Sequence, residues 1–199
     1  MTVNFEYENL ILRVWLLMHR AYISLKDCED QIYGEKGLTT EQYAVLATIK
    51  YLNEPVKVTD VAQWIGRRTN SVSMMADRMV KAGLLRRLRD RVDRRAVRLT
   101  ITSKGEDAFK SATPVGWEFI QKIMSPLSYE DQHTFARLLE RMRYQTLKYL
   151  NPGEDIEEMI RNETKQHANL MERLIQYTVP STPEAKHQGG KKGKTIRRG

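Results

Sequence analysis

The sequence predicts a mainly α fold with one small β-hairpin, and three observations predict it. Apolar residues recur at three- and four-residue steps through most of residues 3–177. Residues 84–101 change to a period of two, the mark of paired strands. Just before them, two short helical runs meet at the turn "GRRTN", a helix-turn-helix pattern.

Residues 3–33 read as one long helix through Leu10, Ile11, Val14, Trp15, Leu17, Met18, Ala21, Tyr22 and Leu25. "GEKGLTT" ends it, and Thr39 or Thr40 can cap the next helix. In "EQYAVLATIKYLN" the predicted buried side is Tyr43, Val45, Leu46, Ile49 and Leu52, and "NEP" stops the run. "VKVTDVAQWIG" carries a face of Val58, Val61, Ala62 and Ile65, with Gly66 suited to the position just past a helix end. On the helix that follows, steps of about 100° per residue gather Val72, Met75, Ala76, Met79 and Val80 on one half. Ser71, Ser73, Met74, Asp77, Arg78 and Lys81 fall on the other. Core packing accounts for the first half. The second is polar and partly basic, with small hydroxyls that approach base edges without steric cost, beside a helix start that favours phosphate. Met74 is the exception there, open both to gap filling and to base contact.

After Gly83, "LLRRLR" and "RAVRLTI" read as strands, with Val97, Leu99 and Ile101 on one side and Ala96, Arg98 and Thr100 on the other. Their link, "DRVDR", makes a hairpin tip rich in arginine. A basic hairpin directly after a recognition-type helix is a winged helix-turn-helix. The helix is placed to enter a major groove and the hairpin to reach the adjacent minor groove. Arginine suits that task because its charge is permanent and its hydration weak. Residues 103–124 read as a helix bent or interrupted near Pro114. Ser128 caps the next, with Asp131 in its first turn and a stripe of Phe135, Leu138, Leu139, Met142 and Leu147. "NPGED" breaks the chain before an amphipathic helix over 155–177. From Val179 the composition predicts a disordered basic tail.

The net charge of +8 is unevenly placed. Between Arg67 and Arg98 eleven Lys/Arg face three Asp/Glu, and residues 186–199 hold six Lys/Arg and no acid, so the remainder is net acidic. Such zones point to double-stranded DNA as the partner. Other classes lack support. No run of about 18 apolar residues suggests a membrane span, and the N-terminus lacks the pattern of a signal peptide. Cys28 stands alone, which excludes an internal disulfide and fits a reducing cytoplasm. Its neighbours Asp27, Glu29 and Asp30 oppose the thiolate a redox sensor needs. His19, His133, His167 and His187 are scattered, without a second ligand at helical spacing, so no metal is predicted. "GEKG" is no phosphate loop, and no nucleophile–base pair is evident, so neither a cofactor nor an enzyme is expected.

"VTDVAQWIGRRTNSVSMMADRMVKAGLLRRLRDRVDRRAVRLTITSKG" resembles the MarR family of winged-helix regulators. The likeness is carried by Asp77, Arg78, Gly83, Leu84 and Leu85 at the helix end, by Asp93 and Arg95 in the wing, and by Leu99, Thr100, Thr102 and Gly105 after it. It extends over roughly residues 10–150. The resemblance implies a homodimeric repressor on a palindromic site, with interlocked N- and C-terminal helices and a small aromatic effector held between dimer core and DNA-binding lobe. By position it implies DNA contacts from Thr69, Asn70, Ser71, Ser73 and Met74, and a minor-groove contact from Arg95 oriented by Asp93. Arg68, Arg78, Arg89, Arg91 and Arg94 of the basic zone complete the candidate DNA-binding set. Trp15, His19, Tyr22, Tyr43 and Trp117 are candidate effector-binding residues, with dimer packing the other reading of the first three. The chain then divides into an N-terminal dimerisation helix (1–33), a winged helix-turn-helix lobe (36–112), C-terminal dimerisation helices (113–178) and the tail (179–199). Two departures stand out. Lys57 occupies a position where the family has a Ser/Thr cap, so either Thr59 caps a shorter helix or Lys57 reaches a phosphate. The segment after Asn151 is longer than the family core. A non-specific chromosome-organising protein and a winged-helix protein-interaction module are the alternatives.

Overall fold

The computed structural model describes residues 5–89 and 97–178; for residues 5–8, 166–167, 169–171 and 173–178 it describes the backbone only. In chain order the elements are α1 (Phe5–Gly34), α2 (Thr40–Leu52), β1 (Val56–Lys57), α3 (Val58–Trp64), α4 (Thr69–Lys81), β2 (Leu85–Arg89), β3 (Val97–Ile101), α5 (Ser103–Met124), α6 (Tyr129–Leu150) and α7 (Ile156–Thr178). The fold is mainly α with one small antiparallel sheet, as the periodicities predict.

Local chemistry sets the boundaries. Thr39, not Thr40, caps α2: its hydroxyl accepts from the Gln42 N–H while the Gln42 side chain accepts from the Thr39 N–H. Thr40 is spent on α1, donating its hydroxyl to Asp30 at 2.6 Å and its N–H at 3.2 Å. At α3 the cap position is Lys57, with no side-chain cap bond. Thr59 lies inside that helix with its hydroxyl on Asp60, so the shorter helix capped by Thr59 is not formed. Gly66, at φ +64°, takes the left-handed position after α3 that its lack of a Cβ permits.

The sheet order is β1-β3-β2, all antiparallel. β2 and β3 pair from Leu85 opposite Ile101 to Arg89 opposite Val97, and Val56 of β1 stands opposite Leu99. Two residues are too few to show a period, which is why β1 is absent from the sequence reading. The Glu54 carboxylate accepts from the Thr100 hydroxyl and from the Ile101 N–H, closing the sheet beside β1.

One core joins these elements. Val45, Leu46 and Ile49 of α2, Val61 of α3, Val72 and Met79 of α4, Leu85, Leu99 and Phe109 of α5 are fully enclosed. Each such large side chain contributes about 1.5–3 kcal/mol relative to exposure. α5 runs unbroken through Pro114, so the interruption is not found. The proline removes one backbone donor, and packing against α1, α2 and α7 outweighs that loss. Its start is locked to the end of α4. Thr102 donates its hydroxyl to the Gly83 carbonyl at 2.6 Å and its N–H to the Leu84 carbonyl at 3.1 Å, while Lys104 reaches the Ala82 carbonyl at 2.8 Å. These bonds tie the start of α5 to the carbonyls of the turn that follows α4, while the N–H groups of Ala82, Gly83 and Leu84 take the carbonyls of Arg78, Val80 and Met79 that the helix end leaves open.

The remaining helices are different. α6 starts on the Ser128–Asp131 capping box and buries no residue. Phe135, Leu138 and Leu139 are exposed, as are Leu10, Ile11, Leu12, Val14, Trp15, Leu16 and Leu17 of α1 at half or more of their surface. α7 returns against α5 and α6, with Ile156 buried and Arg143 of α6 ion-paired to Glu163.

A Cβ at Gly105 would lie 2.2 Å from the Leu84 carbonyl oxygen and 2.8 Å from the Ile101 side chain. Gly105→Ala is therefore expected to cost roughly 1–3 kcal/mol by overpacking, read as a lowered urea midpoint with an unchanged slope.

Candidate nucleic-acid interface

α4 buries Val72, Ala76 and Met79, which turns the opposite face outward. Arg68, Thr69, Asn70, Ser71 and Arg78 are exposed, Met74 is 59% exposed, and Ser73 is half-buried. Arg68 holds the cap position without a side-chain cap bond, and the first turn has no acid. The N–H groups and positive dipole end of α4 thus carry no acidic side chain from the helix's own first turn.

A side chain outside the predicted set ties this helix to the wing. Arg87 of β2 lies on the same side of the strand as Leu85, facing the lobe interior. Its Nη2 donates to the Asp77 carboxylate at 2.9 Å, and to the backbone carbonyl and the hydroxyl of Ser73, both at 3.2 Å. The strand period places Arg87 inward, and Ser73 and Asp77 stand one helical turn apart on α4, so the sequence carried the signal: an inward arginine needs acceptors. Arg86 and Arg89 are exposed along β2. The predicted wing residues Arg91, Asp93, Arg94 and Arg95, with the Asp93–Arg95 pairing, lie outside the described residues.

A cleft of about 290 Å³ opens between α1 and the lobe. Tyr22 and Leu25 of α1, Ala44 of α2, Ile65 at the end of α3, and Met75 of α4 form its apolar wall. On its polar side one Glu41 carboxylate oxygen stands 3.6 Å from the Arg67 guanidinium and 4.0 Å from the Lys26 ammonium. Burial, and then the neighbouring Asp30, push the Glu29 carboxyl above its usual range. The candidate effector residues are not gathered in one place. Tyr22 belongs to the cleft. Trp15 and His19 pair on α1, with ring centroids 4.5 Å apart, two turns and one turn before Tyr22 respectively. Tyr43 is half-buried, stacked between Tyr33 and Phe109 and donating to the Thr113 hydroxyl at 3.2 Å. Trp117 is half-buried on α5. Among the described residues no group of three or more His, Cys, Asp or Glu is placed to hold a metal, no helix is long and apolar enough to cross a membrane, and Cys28 is exposed.

A helix-turn-helix whose second helix shows a polar face, followed by the antiparallel pair β2–β3 with arginines along β2, defines a winged-helix DNA-binding lobe on a helical frame. The MarR family model matches residues 38–97. Transcriptional regulator HosA of Escherichia coli O127:H6 (strain E2348/69 / EPEC) is 30% identical over 105 residues, covering 53% of this chain and 77% of HosA. The HTH-type transcriptional repressor MdtR of Bacillus subtilis (strain 168) is 26% identical over 133 residues, 63% of this chain and 85% of MdtR. Among solved structures, an organohalide-sensing transcriptional regulator in its 2,4-dichlorophenol-bound form superposes with a TM-score of 0.67 at 22% identity, over 77% of this chain and 90% of its own. A mutant E. coli MarR complexed with operator DNA gives 0.62 at 20% identity, over 71% and 99%. The chain belongs to the MarR family and is a DNA-binding transcriptional regulator.

The joint between α1 and α2 makes one pH expectation. The Thr40 hydroxyl, and then its N–H, hold the Asp30 carboxyl below the usual carboxylate range. A lowered pKa contributes stability that is present above the unfolded value, about 3.9, and lost as pH falls through the folded one. The gap in melting temperature between wild type and Asp30→Asn is expected to be constant near neutrality and to close below about pH 4, in a series of thermal melts.

Proposed function

We propose that this regulator is a sequence-specific repressor, acting in the cytoplasm as a homodimer on a palindromic operator and released by a small aromatic effector. The observation that carries the reading is the outward polar face of α4, fixed by its buried residues and braced to β2 through Arg87. Thr69, Asn70, Ser71 and Met74 would read base edges in the major groove, with Ser73 beside them. Arg68, Arg78 and Arg89, with the wing arginines, would hold phosphates and the neighbouring minor groove.

The dimer is supported by the apolar stripes of α1 and α6, too extensive for the surface of a monomer. A two-fold assembly would also set two recognition helices about one DNA turn, roughly 34 Å, apart. Repression follows the relative named as a repressor, and an aromatic effector follows the neighbour bound to 2,4-dichlorophenol. In this chain the cleft is the place for it, because Tyr22 stands on the frame and Met75 on the recognition helix itself. An aromatic ligand bound there would favour the frame–lobe geometry that fits it and shift the dimer away from the DNA-binding population. The basic segment 186–199 favours a second reading, a non-specific chromosome-organising protein.

A binding titration with genomic competitor DNA decides between the two. Preference for one site by about 10³ or more is expected of the operator reading, and its absence would favour the second. Sedimentation at micromolar concentration is expected to show a dimer, and a stable monomer would remove the two-fold site. Within the operator reading, Arg89→Ala is expected to weaken binding to all sequences and to lower the salt slope by about one unit, whereas Ser71→Ala should alter sequence preference with the slope unchanged.

A further inference from the structure

Hydroxyls inside the helices mostly donate back to their own backbone. Thr48 donates to the Ala44 carbonyl, Thr113 to that of Phe109 and Thr146 to that of Arg143, each at 2.8 Å. Ser73 behaves differently. Its oxygen accepts from Arg87 at 3.2 Å, and among the described residues nothing accepts its proton. The arginine is itself held in place: the same Nη2 reaches the Ser73 carbonyl and the Asp77 carboxylate, and Nε is buried without a partner. An unsatisfied buried N–H is a cost that calls for an explanation.

We propose that Arg87 fixes Ser73 as a hydrogen-bond donor towards DNA, so that the base edge facing Ser73 must present an acceptor. The inference rests on the operator reading above. A serine hydroxyl has one proton and two lone pairs, and left alone it serves donors and acceptors equally. A guanidinium donating to the oxygen takes one lone pair, and its positive charge turns the hydroxyl proton to the opposite side. The acceptors in the major groove are N7 of either purine, O6 of guanine and O4 of thymine; the donors are the amino groups of cytosine and adenine. Ser73 would then select the first set. Ser71, two residues earlier and exposed, has no such partner among the described residues and keeps both roles. Arg87 touches no base in this scheme. It is a positioning residue that acts through Ser73, and Asp77 holds it in place.

The experiment begins with operator selection by wild type and by Ser73→Ala, which locates the base pair whose preference depends on Ser73. Replacing the purine there by its 7-deaza analogue, guanine by an analogue lacking O6, and thymine by an analogue lacking O4 is expected, for the one acceptor that Ser73 meets, to weaken wild-type binding roughly 3- to 10-fold and to leave Ser73→Ala unchanged. Arg87→Lys keeps the charge and loses the fork; it is expected to broaden the preference at that pair while affinity for non-operator DNA and the salt slope stay at wild-type values. Asp77→Asn, which frees the guanidinium, should broaden the same pair and serves if the lysine variant does not fold. The proposal is overturned if Ser73→Ala changes no position, if loss of the acceptor leaves wild-type affinity intact, or if both positioning variants keep a preference as narrow as wild type. A wild-type selection that yields no preferred sequence would instead overturn the operator reading, and this inference with it.

Discussion

The rotation of α4 about its own axis decides what the lobe can offer to a partner, and three side chains fix it. Val72, Ala76 and Met79 have no accessible surface. A helix of 13 residues is marginal alone in water, so α4 exists because this stripe is buried. Turning it by a single residue step would bring a serine or a charged residue into the space these three fill. The same burial therefore provides stability and selects which polar residues face outward. Arg87 adds the second coordinate, the position of β2 relative to α4, through one guanidinium on Asp77 and Ser73.

How far the sequence reveals this depends on how local the physics is. The helices and the hairpin follow from apolar periods that each segment carries within itself, and the two halves of α4 separate by angle alone. Thr39 and Thr40 are equal candidates for a cap until Asp30, ten residues earlier in the chain, takes Thr40. β1 depends on β3, more than 40 residues later, and has no signal of its own. Tyr43 is a pocket candidate in sequence because aromatics serve both cores and ligands; its stacking between Tyr33 and Phe109 joins residues far apart in the chain and leaves no local mark. The cleft is invisible for the same reason, since its walls come from α1, α2 and α4 together.

Two parts of the molecule handle apolar surface in opposite ways. From α2 to the first half of α5, large apolar residues meet inside one continuous core. On α1 and α6 they line outer surfaces. The lobe thus encloses its large apolar side chains, while the frame leaves many of its own on the surface. Hydrogen bonding follows the same division, with Glu54, Thr102 and Lys104 closing the backbone of the lobe at its joints.

The joint between α4 and α5 gives the frame a mechanical grip on the lobe. Thr102 and Lys104 hold the carbonyls of Gly83 and Ala82 just after α4, and Gly105 brings the start of α5 against Leu84 with no room between them. A flexible linker would absorb motion at this point; a joint this tight transmits it. α5 has 22 residues and is about 33 Å long, so it works as a lever arm with its pivot at the end of the recognition helix. A sideways displacement of about 3 Å at its far end corresponds to a tilt of about 5° at the pivot. Swapping lobes between relatives would therefore need a cut well beyond residue 105, because the pivot belongs to both parts.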